Sequence, residues 1–186
     1  VHGPGSGAEL FIVEGESAAS SVAAVRSARH QAVLPLQGKP MNAWRLNTDA
    51  AGAQKVREHA LYAQLALALG SADAAAMLKA DAAAVAALRF ERIVLLMDPD
   101  ADGIHIGALV LLYFKRWAPA WLQSGRVLLA RAPMFLLEAA DGTRTECAFH
   151  PEHAQRLRAA WTASRGDAPL VRSVRGLASL APASLS

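Results

Sequence analysis

Residues 93–103 read Ile-Val-Leu-Leu-Met-Asp-Pro-Asp-Ala-Asp-Gly, an apolar run that stops abruptly at three alternating aspartates and a glycine. Residues 9–18 read Glu-Leu-Phe-Ile-Val-Glu-Gly-Glu-Ser-Ala and follow the same plan. Short continuous apolar runs are typical of strands buried on both faces of a parallel sheet. The carboxyl ends of such strands share one edge, where open α/β sheets bind their ligands. The two runs therefore predict an open parallel sheet that presents Glu14 and the three aspartates together.

Strand and helix patterns alternate along the chain, which favours a parallel sheet with helices on both faces. Apolar runs predict four strands, at residues 10–13, 32–36, 92–97 and 127–130. Helical spacing and alanine-rich composition predict four helices, at residues 17–29, 54–69, 72–88 and 104–122. We expect Ser17 to cap the first helix and Pro119 to kink or shorten the last one.

A smaller unit is predicted beyond the fourth strand. Residues 135–138 and 145–149 flank Asp141-Gly142, a dipeptide typical of hairpin turns. A short helix at residues 152–163 and a last strand at residues 170–174 follow. We therefore expect a small C-terminal extension, made of a hairpin and a helix, after the parallel sheet.

Composition and charge narrow the class of protein. The chain has 186 residues, 53% of them hydrophobic, and a formal net charge of +3. It can bury a sizeable core, where we expect the tryptophans and methionines. The mild positive charge permits an anionic partner such as nucleic acid without requiring one. The single cysteine, Cys147, excludes an internal disulfide and favours a reducing, cytoplasmic setting.

Membrane association is not expected from this sequence. No apolar run reaches the length needed to span a bilayer, and no signal peptide is visible. The sequence does not begin with Met, so we expect a fragment of a longer protein.

The alternating aspartates Asp98, Asp100 and Asp102 are the strongest chemical signal. Three neighbouring carboxylates repel one another, so they need a cation or raised pKa values to coexist. Together with Glu14 they form an oxygen-only set that suits Mg²⁺, and metal-assisted phosphoryl transfer is the chemistry such a set serves. The alternative is a solvated acidic turn without a ligand.

Two other metal-loop interpretations of Asp98–Asp102 fail. A calcium EF-hand loop needs a glutamate at its twelfth position, and that position holds Leu109. The stretch also resembles the metal loop of phosphohexomutases, but those enzymes are much longer, and Gly103 stands where they carry an arginine.

Three motifs together resemble one family. Residues 14–18 (Glu-Gly-Glu-Ser-Ala) are similar to its Glu-Gly-Asp-Ser-Ala, residues 34–39 match its Leu-Pro-Leu-x-Gly-Lys with Asn42 following, and residues 98–106 match its Asp-x-Asp-x-Asp-Gly-x-His-Ile. The chain thus resembles the TOPRIM domain of the B subunits of bacterial type IIA topoisomerases, DNA gyrase and topoisomerase IV. The resemblance implies a TOPRIM domain over residues 8–137 and a C-terminal extension over residues 138–186.

The resemblance also implies roles for the acidic residues. Glu14 would be the general acid and base of DNA cleavage and religation. Mg²⁺ would be held by Glu14, Asp98 and Asp100, with Asp102 in support.

Further residues would face DNA. Lys39 would lie near DNA phosphates, His105 would sit beside the acidic loop, and Asn42 would join them in DNA binding. In this family the nucleophile is a tyrosine of the separate A subunit. Tyr62 and Tyr113 fall within predicted helices, and we expect both in the core.

Departures from the family pattern indicate a divergent or partial B subunit. Glu16 replaces an aspartate, Gly107 replaces a basic residue, and Phe135-Leu136 replaces Tyr-Lys. A Tyr-Lys-Gly-Leu-Gly-Glu motif survives only as Val-Arg-Gly-Leu-Ala-Ser at residues 174–179.

The resemblance implies a component of an ATP-hydrolysing type II DNA topoisomerase. Its partners would be duplex DNA, an A-type subunit carrying the catalytic tyrosine and a separate ATPase region, in the cytoplasm at the nucleoid. Two alternatives stay open: a stand-alone TOPRIM nuclease, and a non-catalytic module that binds DNA or a protein partner.

Overall fold

A computed structural model of the chain describes residues 5–71, 73–87, 89–174 and 176. Its centre is a four-stranded parallel sheet in the spatial order β2-β1-β3-β4, formed by β1 (Glu9–Glu14), β2 (Gln31–Leu36), β3 (Arg92–Met97) and β4 (Val127–Arg131). In the central strand β1, Ile12 pairs with Leu34 on one side and with Leu95 on the other. The predicted α/β fold with an open parallel sheet is confirmed, and the strands end within one residue of their predicted positions.

Helices cover both faces of this sheet. They are α1 (Gly15–Val25), α2 (Ala50–Glu58), α3 (Ala60–Leu69), α4 (Ala82–Ala86), α5 (Ala101–Trp117) and α6 (Pro119–Gln123), with 3₁₀ turns at Ala43–Arg45 and Ala76–Lys79. Leu10 and Ile12 point into the large core shared with α2 to α6. Phe11 and Val13 point to the opposite face, where α1 packs. This alternation along β1 is why the strand reads as continuously apolar.

The first helix begins earlier than predicted. Gly15 has φ 73°, so the chain turns directly from β1 into α1 without a linker. Glu14 occupies the N-cap position, and no side chain caps the helix. Ser17 therefore lies inside α1, and its predicted capping role is wrong.

The helix predicted at residues 54–69 is divided into α2 and α3. The backbone of His59 is extended between them, with φ −76° and ψ 112°. The ring of His59 accepts a hydrogen bond at Nε2 from the Met41 backbone N–H (3.3 Å) and packs on Tyr62. Burial lowers the pKa of this imidazole, which keeps Nε2 available as an acceptor. A tertiary contact thus interrupts a locally helical sequence.

Two other predicted helices are also interrupted. Residues 72 and 88, the ends of the helix predicted there, lie outside the described residues, and between them the chain forms the Ala76–Lys79 turn and α4. The helix predicted at residues 104–122 ends at Trp117 and resumes as α6 after Ala118. Pro119 explains the second break, since proline disfavours helical conformation in the residue before it.

Both tyrosines are in the core, as predicted. The rings of Tyr62 and Tyr113 stack with centroids 4.3 Å apart. The Tyr113 hydroxyl donates to the Ala74 carbonyl (3.0 Å), and the Tyr62 hydroxyl donates to the Met41 carbonyl. Burial raises the pKa of both phenols. Neither hydroxyl is therefore exposed as a nucleophile.

We expect Tyr113→Phe to lower the free energy of unfolding by about 1–2 kcal/mol, because the buried Ala74 carbonyl loses its hydroxyl donor. Urea unfolding measures the change. Ser21→Ala is the matched control, since the Ser21 hydroxyl also donates to one carbonyl, that of Ser17 (3.2 Å), but at an exposed position. Equal losses in the two variants would contradict the assignment of a buried, stabilising hydrogen bond to Tyr113.

A second, antiparallel sheet follows the parallel one. Its order is β6-β5-β7, formed by β5 (Phe135–Glu138), β6 (Thr145–Ala148) and β7 (Leu170–Ser173), and helix α7 (Pro151–Arg165) packs on it. The predicted hairpin, helix and last strand are confirmed. Leu136 and Val174 pack with Val13 and Ala18, so this sheet lies against the α1 face of the parallel sheet.

The boundary proposed after residue 137 falls inside β5, and division of the chain into two units there stays a prediction. Among the residues that the structure describes, no helix is both long and apolar enough to cross a membrane.

Candidate functional site

Two neighbouring strands end in acidic residues at the same edge of the sheet. Glu14 is the last residue of β1, and Asp98 directly follows β3. Val13 pairs with Leu96 in parallel register, so the two strands reach this edge together. The set Glu14, Asp98, Asp100 and Asp102 is called the acidic edge below.

The N-terminus of α5 shapes the loop that follows β3. Asp100 is the N-cap of α5, and its Oδ1 accepts a hydrogen bond from the Gly103 backbone N–H (2.8 Å). Asp102 lies in the first turn of the same helix, where a negative charge is favoured by the helix dipole. Helix capping thus fixes Asp100, and the first turn of α5 places Asp102 two residues further along the chain.

Glu14 lies in the electric field of the whole acidic edge. Its Oε2 atom is buried and has no hydrogen-bond partner among the described residues. Burial raises the pKa of the Glu14 carboxyl above its ordinary value, and the charges of the three aspartates raise it further, while Lys39 opposes them. The four carboxylates that the sequence predicted to meet are therefore close enough to interact.

Lys39 reaches the acidic edge from the segment after β2. Its Nζ lies 2.6 Å from Oδ1 of Asp102, so the ion pair crosses the end of the central strand β1. The hydrogen bond from Lys39 lowers the pKa of the Asp102 carboxyl and raises that of the ammonium. Both side chains are more than half exposed, so solvent screens the pair and a ligand has access to either partner.

His105 and Asn42, the other two predicted DNA-binding residues, differ in their contacts with the acidic edge. His105 is exposed on α5, and its charge lowers the pKa of Asp102. Asn42 precedes the Ala43–Arg45 turn, and its buried Oδ1 has no hydrogen-bond partner among the described residues. Among the residues that the structure describes, no ion pair or hydrogen bond joins the Asn42 side chain to the acidic edge. The structure thus brings Lys39 and His105 to Asp102, and the role of Asn42 in DNA binding stays a prediction.

Two glycines, which the sequence reasoning did not assign to the site, pack directly against Asp98. A Cβ atom on Gly103 would lie 2.3 Å from the Asp98 carbonyl oxygen, and a Cβ atom on Gly176 would lie 2.9 Å from Asp98 Oδ2. Gly103 could have been found from its place in the Asp-Gly dipeptide. Gly176 stands far along the chain, and only the weak motif at residues 174–179 pointed to it.

The donor atoms of the acidic edge, all carboxylate oxygens, are of the type that a hard divalent cation prefers. Among the described residues, no three Asp, Glu, His or Cys side chains already form a group able to hold a metal ion. The buried Oε2 of Glu14 has no hydrogen-bond partner there, and only Oδ1 of Asp100 is used in capping α5. Carboxylate oxygens are the ligands that Mg²⁺ prefers, so Glu14 and Asp100 could each provide one.

Comparison with known proteins agrees with this geometry. The family model described as "Toprim domain" matches residues 9–132. The chain is 37% identical to the B subunit of DNA topoisomerase 4 from Caulobacter vibrioides, over 92% of this chain and 22% of that protein. It is 35% identical to the corresponding protein of Bartonella bacilliformis, over 82% of this chain and 20% of that protein. It is 34% identical to the B subunit of DNA gyrase from Thermus thermophilus, over 80% of this chain and 22% of that protein.

The chain thus spans about a fifth of the length of these curated relatives. The family match covers the whole parallel sheet, from β1 to β4, including both acidic strand ends. The chain therefore belongs to the Toprim domain family and resembles the domain as it occurs in the B subunits of DNA topoisomerase 4 and DNA gyrase.

Proposed function

We propose that this chain is the Mg²⁺-binding Toprim part of a type IIA DNA topoisomerase, an ATP-hydrolysing enzyme that acts on duplex DNA at the nucleoid. An A-type subunit would supply the nucleophilic tyrosine, and a separate ATPase region would complete the enzyme. The observation that carries the proposal is the buried oxygen of Glu14, which has no hydrogen-bond partner among the described residues and whose carboxyl interacts electrostatically with three aspartates. The names of the relatives support it.

Glu14 is suited to proton transfer. Its raised pKa increases the fraction of the carboxyl that holds a proton near neutral pH. A protonated Glu14 can donate to a DNA oxygen that leaves phosphorus, and the ionised form can take the proton back in religation. A bound Mg²⁺ supplies stabilisation of the negative charge on phosphoryl oxygens.

The other residues bind and orient. Asp98 and Asp100 provide carboxylates beside Glu14, and Lys39 provides a cation for a DNA phosphate. Tyr62 and Tyr113 are buried, which supports a nucleophile from another chain.

The metal assignment is tested by thermal unfolding with and without Mg²⁺. A ligand that binds only the native state stabilises it, by about 2.7 kcal/mol at 100 times its Kd. We expect this response in the wild type and its loss in Asp100→Asn. Without metal the variant should be at least as stable as the wild type, because asparagine caps helices as well as aspartate and the like-charge repulsion falls.

Asp49→Asn is the matched control, because Asp49 caps α2 through the Gly52 N–H (2.8 Å) as Asp100 caps α5. It should keep the full Mg²⁺ response. An unchanged response in Asp100→Asn would exclude Asp100 as a ligand.

A non-catalytic DNA- or partner-binding module is the second candidate, and the Lys39–Asp102 ion pair favours it by placing a protein cation at the acidic edge. The absence of any Mg²⁺ response in wild type, together with retained DNA binding, would support this candidate over the first.

A further inference from the structure

Two cationic side chains lie over one exposed tryptophan. Lys115 Nζ is 5.2 Å and Arg116 Cζ is 5.5 Å from the ring centroid of Trp44. Trp44 is 42% exposed, contrary to the expected core position of the tryptophans. Arg45 follows it in the chain and is also exposed. These four residues are called the Trp44 patch.

Two hydrogen bonds hold the backbone of the Trp44 patch in place. The buried Trp117 donates from Nε1 to the Ala43 carbonyl (3.0 Å), and Arg116 donates from Nε to the Leu46 carbonyl (3.3 Å). These bonds fasten the Ala43–Arg45 turn to the last turn of α5. The two backbone segments that carry the cations are therefore held in a fixed position relative to each other.

The positive charge of the patch is not neutralised by ion pairs. In the part of the chain that the structure describes, the cations of the ion pairs are Lys39, His150 and arginines elsewhere, and none is Arg45, Lys115 or Arg116. Two of these cations lie over the Trp44 ring and the third follows Trp44 in the chain, and such a group of positive charges attracts a polyanion.

The patch is separate from the acidic edge. Asp102 and Lys115 stand at opposite ends of α5, 13 residues apart, which corresponds to about 20 Å along the helix. A group bound at the patch would therefore not touch the acidic residues.

We propose that the Trp44 patch is a second DNA-contacting surface, at which Arg45, Lys115 and Arg116 bind backbone phosphates of duplex DNA. Trp44 is a positioning residue whose ring holds two of the cations in place. The inference rests on the proposed action on DNA, but it does not depend on the metal assignment.

Fluorescence anisotropy with a labelled duplex of about 30 base pairs tests the proposal, in EDTA and at several KCl concentrations. Each phosphate contact contributes about −0.9 to the slope of log K against log salt. Lys115→Gln should therefore make the slope shallower by about 1, and Lys115→Gln/Arg116→Gln by about 2. Trp44→Ala should weaken binding several-fold and leave the slope nearly unchanged, since the charges remain.

The control is Arg156→Gln/Arg158→Gln, which removes two exposed charges from α7 and should retain the wild-type slope. The single variant Lys115→Gln leaves the Arg116 hydrogen bond intact, so its result does not depend on that structural contact. An unchanged slope in both patch variants would overturn the proposal. An equal change in the control, or wild-type binding to phosphatidylglycerol vesicles but not to duplex DNA, would also overturn it.

Failure here is distinguishable from failure of the proposed function. A normal Mg²⁺ response without patch-dependent DNA binding would contradict only the DNA-contacting role of the Trp44 patch. Patch-dependent DNA binding without any Mg²⁺ response would contradict only the assignment of the acidic edge as a Mg²⁺ site.

Discussion

Replacing Gly103 with alanine is expected to lower the free energy of unfolding by about 1–3 kcal/mol, the typical cost of overpacking a core. The added Cβ would lie 2.3 Å from the carbonyl oxygen and 2.8 Å from the nitrogen of Asp98. Both are backbone atoms, so no side-chain rotation relieves the overlap, and either α5 or the acidic loop must shift. Urea unfolding measures the loss, and the Mg²⁺ response of the same variant should weaken because Asp98 is displaced.

Gly107→Ala is the control, one turn further along α5. Its Cβ would meet Met97 Cγ at 3.3 Å and Leu129 Cδ1 at 3.8 Å, both in flexible side chains. Alanine also favours a helix over glycine by about 1 kcal/mol. We expect this variant to be as stable as the wild type or more stable. Similar destabilisation of both variants would show that close packing at Asp98 is not the cause.

Glu14→Gln is expected to reduce DNA cleavage by about 10²- to 10⁴-fold, the contribution typical of a general acid or base. The assay combines the chain with a matching A-type subunit and ATPase region. Glutamine has nearly the same shape but cannot transfer the proton. Glu16→Gln is the matched control, because Glu16 is exposed two positions away and contacts only Gln37 (3.3 Å) among the hydrogen bonds of the described residues. Cleavage by Glu14→Gln within about tenfold of wild type would remove Glu14 from the mechanism.

The same variant should change how stability depends on pH. The folded-state pKa of Glu14 is raised, first by burial and then by the aspartates. Ionised Glu14 therefore destabilises the native state at pH values above its folded pKa, and this cost disappears below its unfolded pKa. At neutral pH, Glu14→Gln should be more stable than the wild type, and the difference should shrink as the pH falls through the folded pKa. A difference that grows on acidification would contradict the raised pKa.

The strands were predictable because their signal is local. A continuous apolar run identifies β1 and β3 wherever a buried parallel sheet forms. The helix breaks at His59 and Ala118 differ in this respect. Pro119 makes the second visible in the sequence, whereas the first depends on contacts of the His59 ring with Met41 and Tyr62, which no local pattern contains.

The candidate site also has a part that the sequence predicted and a part that it did not. Parallel strands place Glu14 and Asp98 at one edge, so their proximity followed from the fold class. The ion pair of Lys39 with Asp102 depends on the path of a loop 63 residues earlier in the chain, and it was not expected. Trp44 was assigned to the core from its residue type alone. The two cations over its ring belong to the last turn of α5, about 70 residues later in the chain, so no local pattern indicates this contact.

The strand order also bears on when the acidic edge can form. Glu14 and Asp98 stand 84 positions apart in the chain, and only the pairing of β1 with β3 brings them together. Such non-local pairing closes a long loop and is a slow step in folding. A chain that has formed α1 and α5 but has not yet paired these strands would contain every acidic side chain and no assembled site.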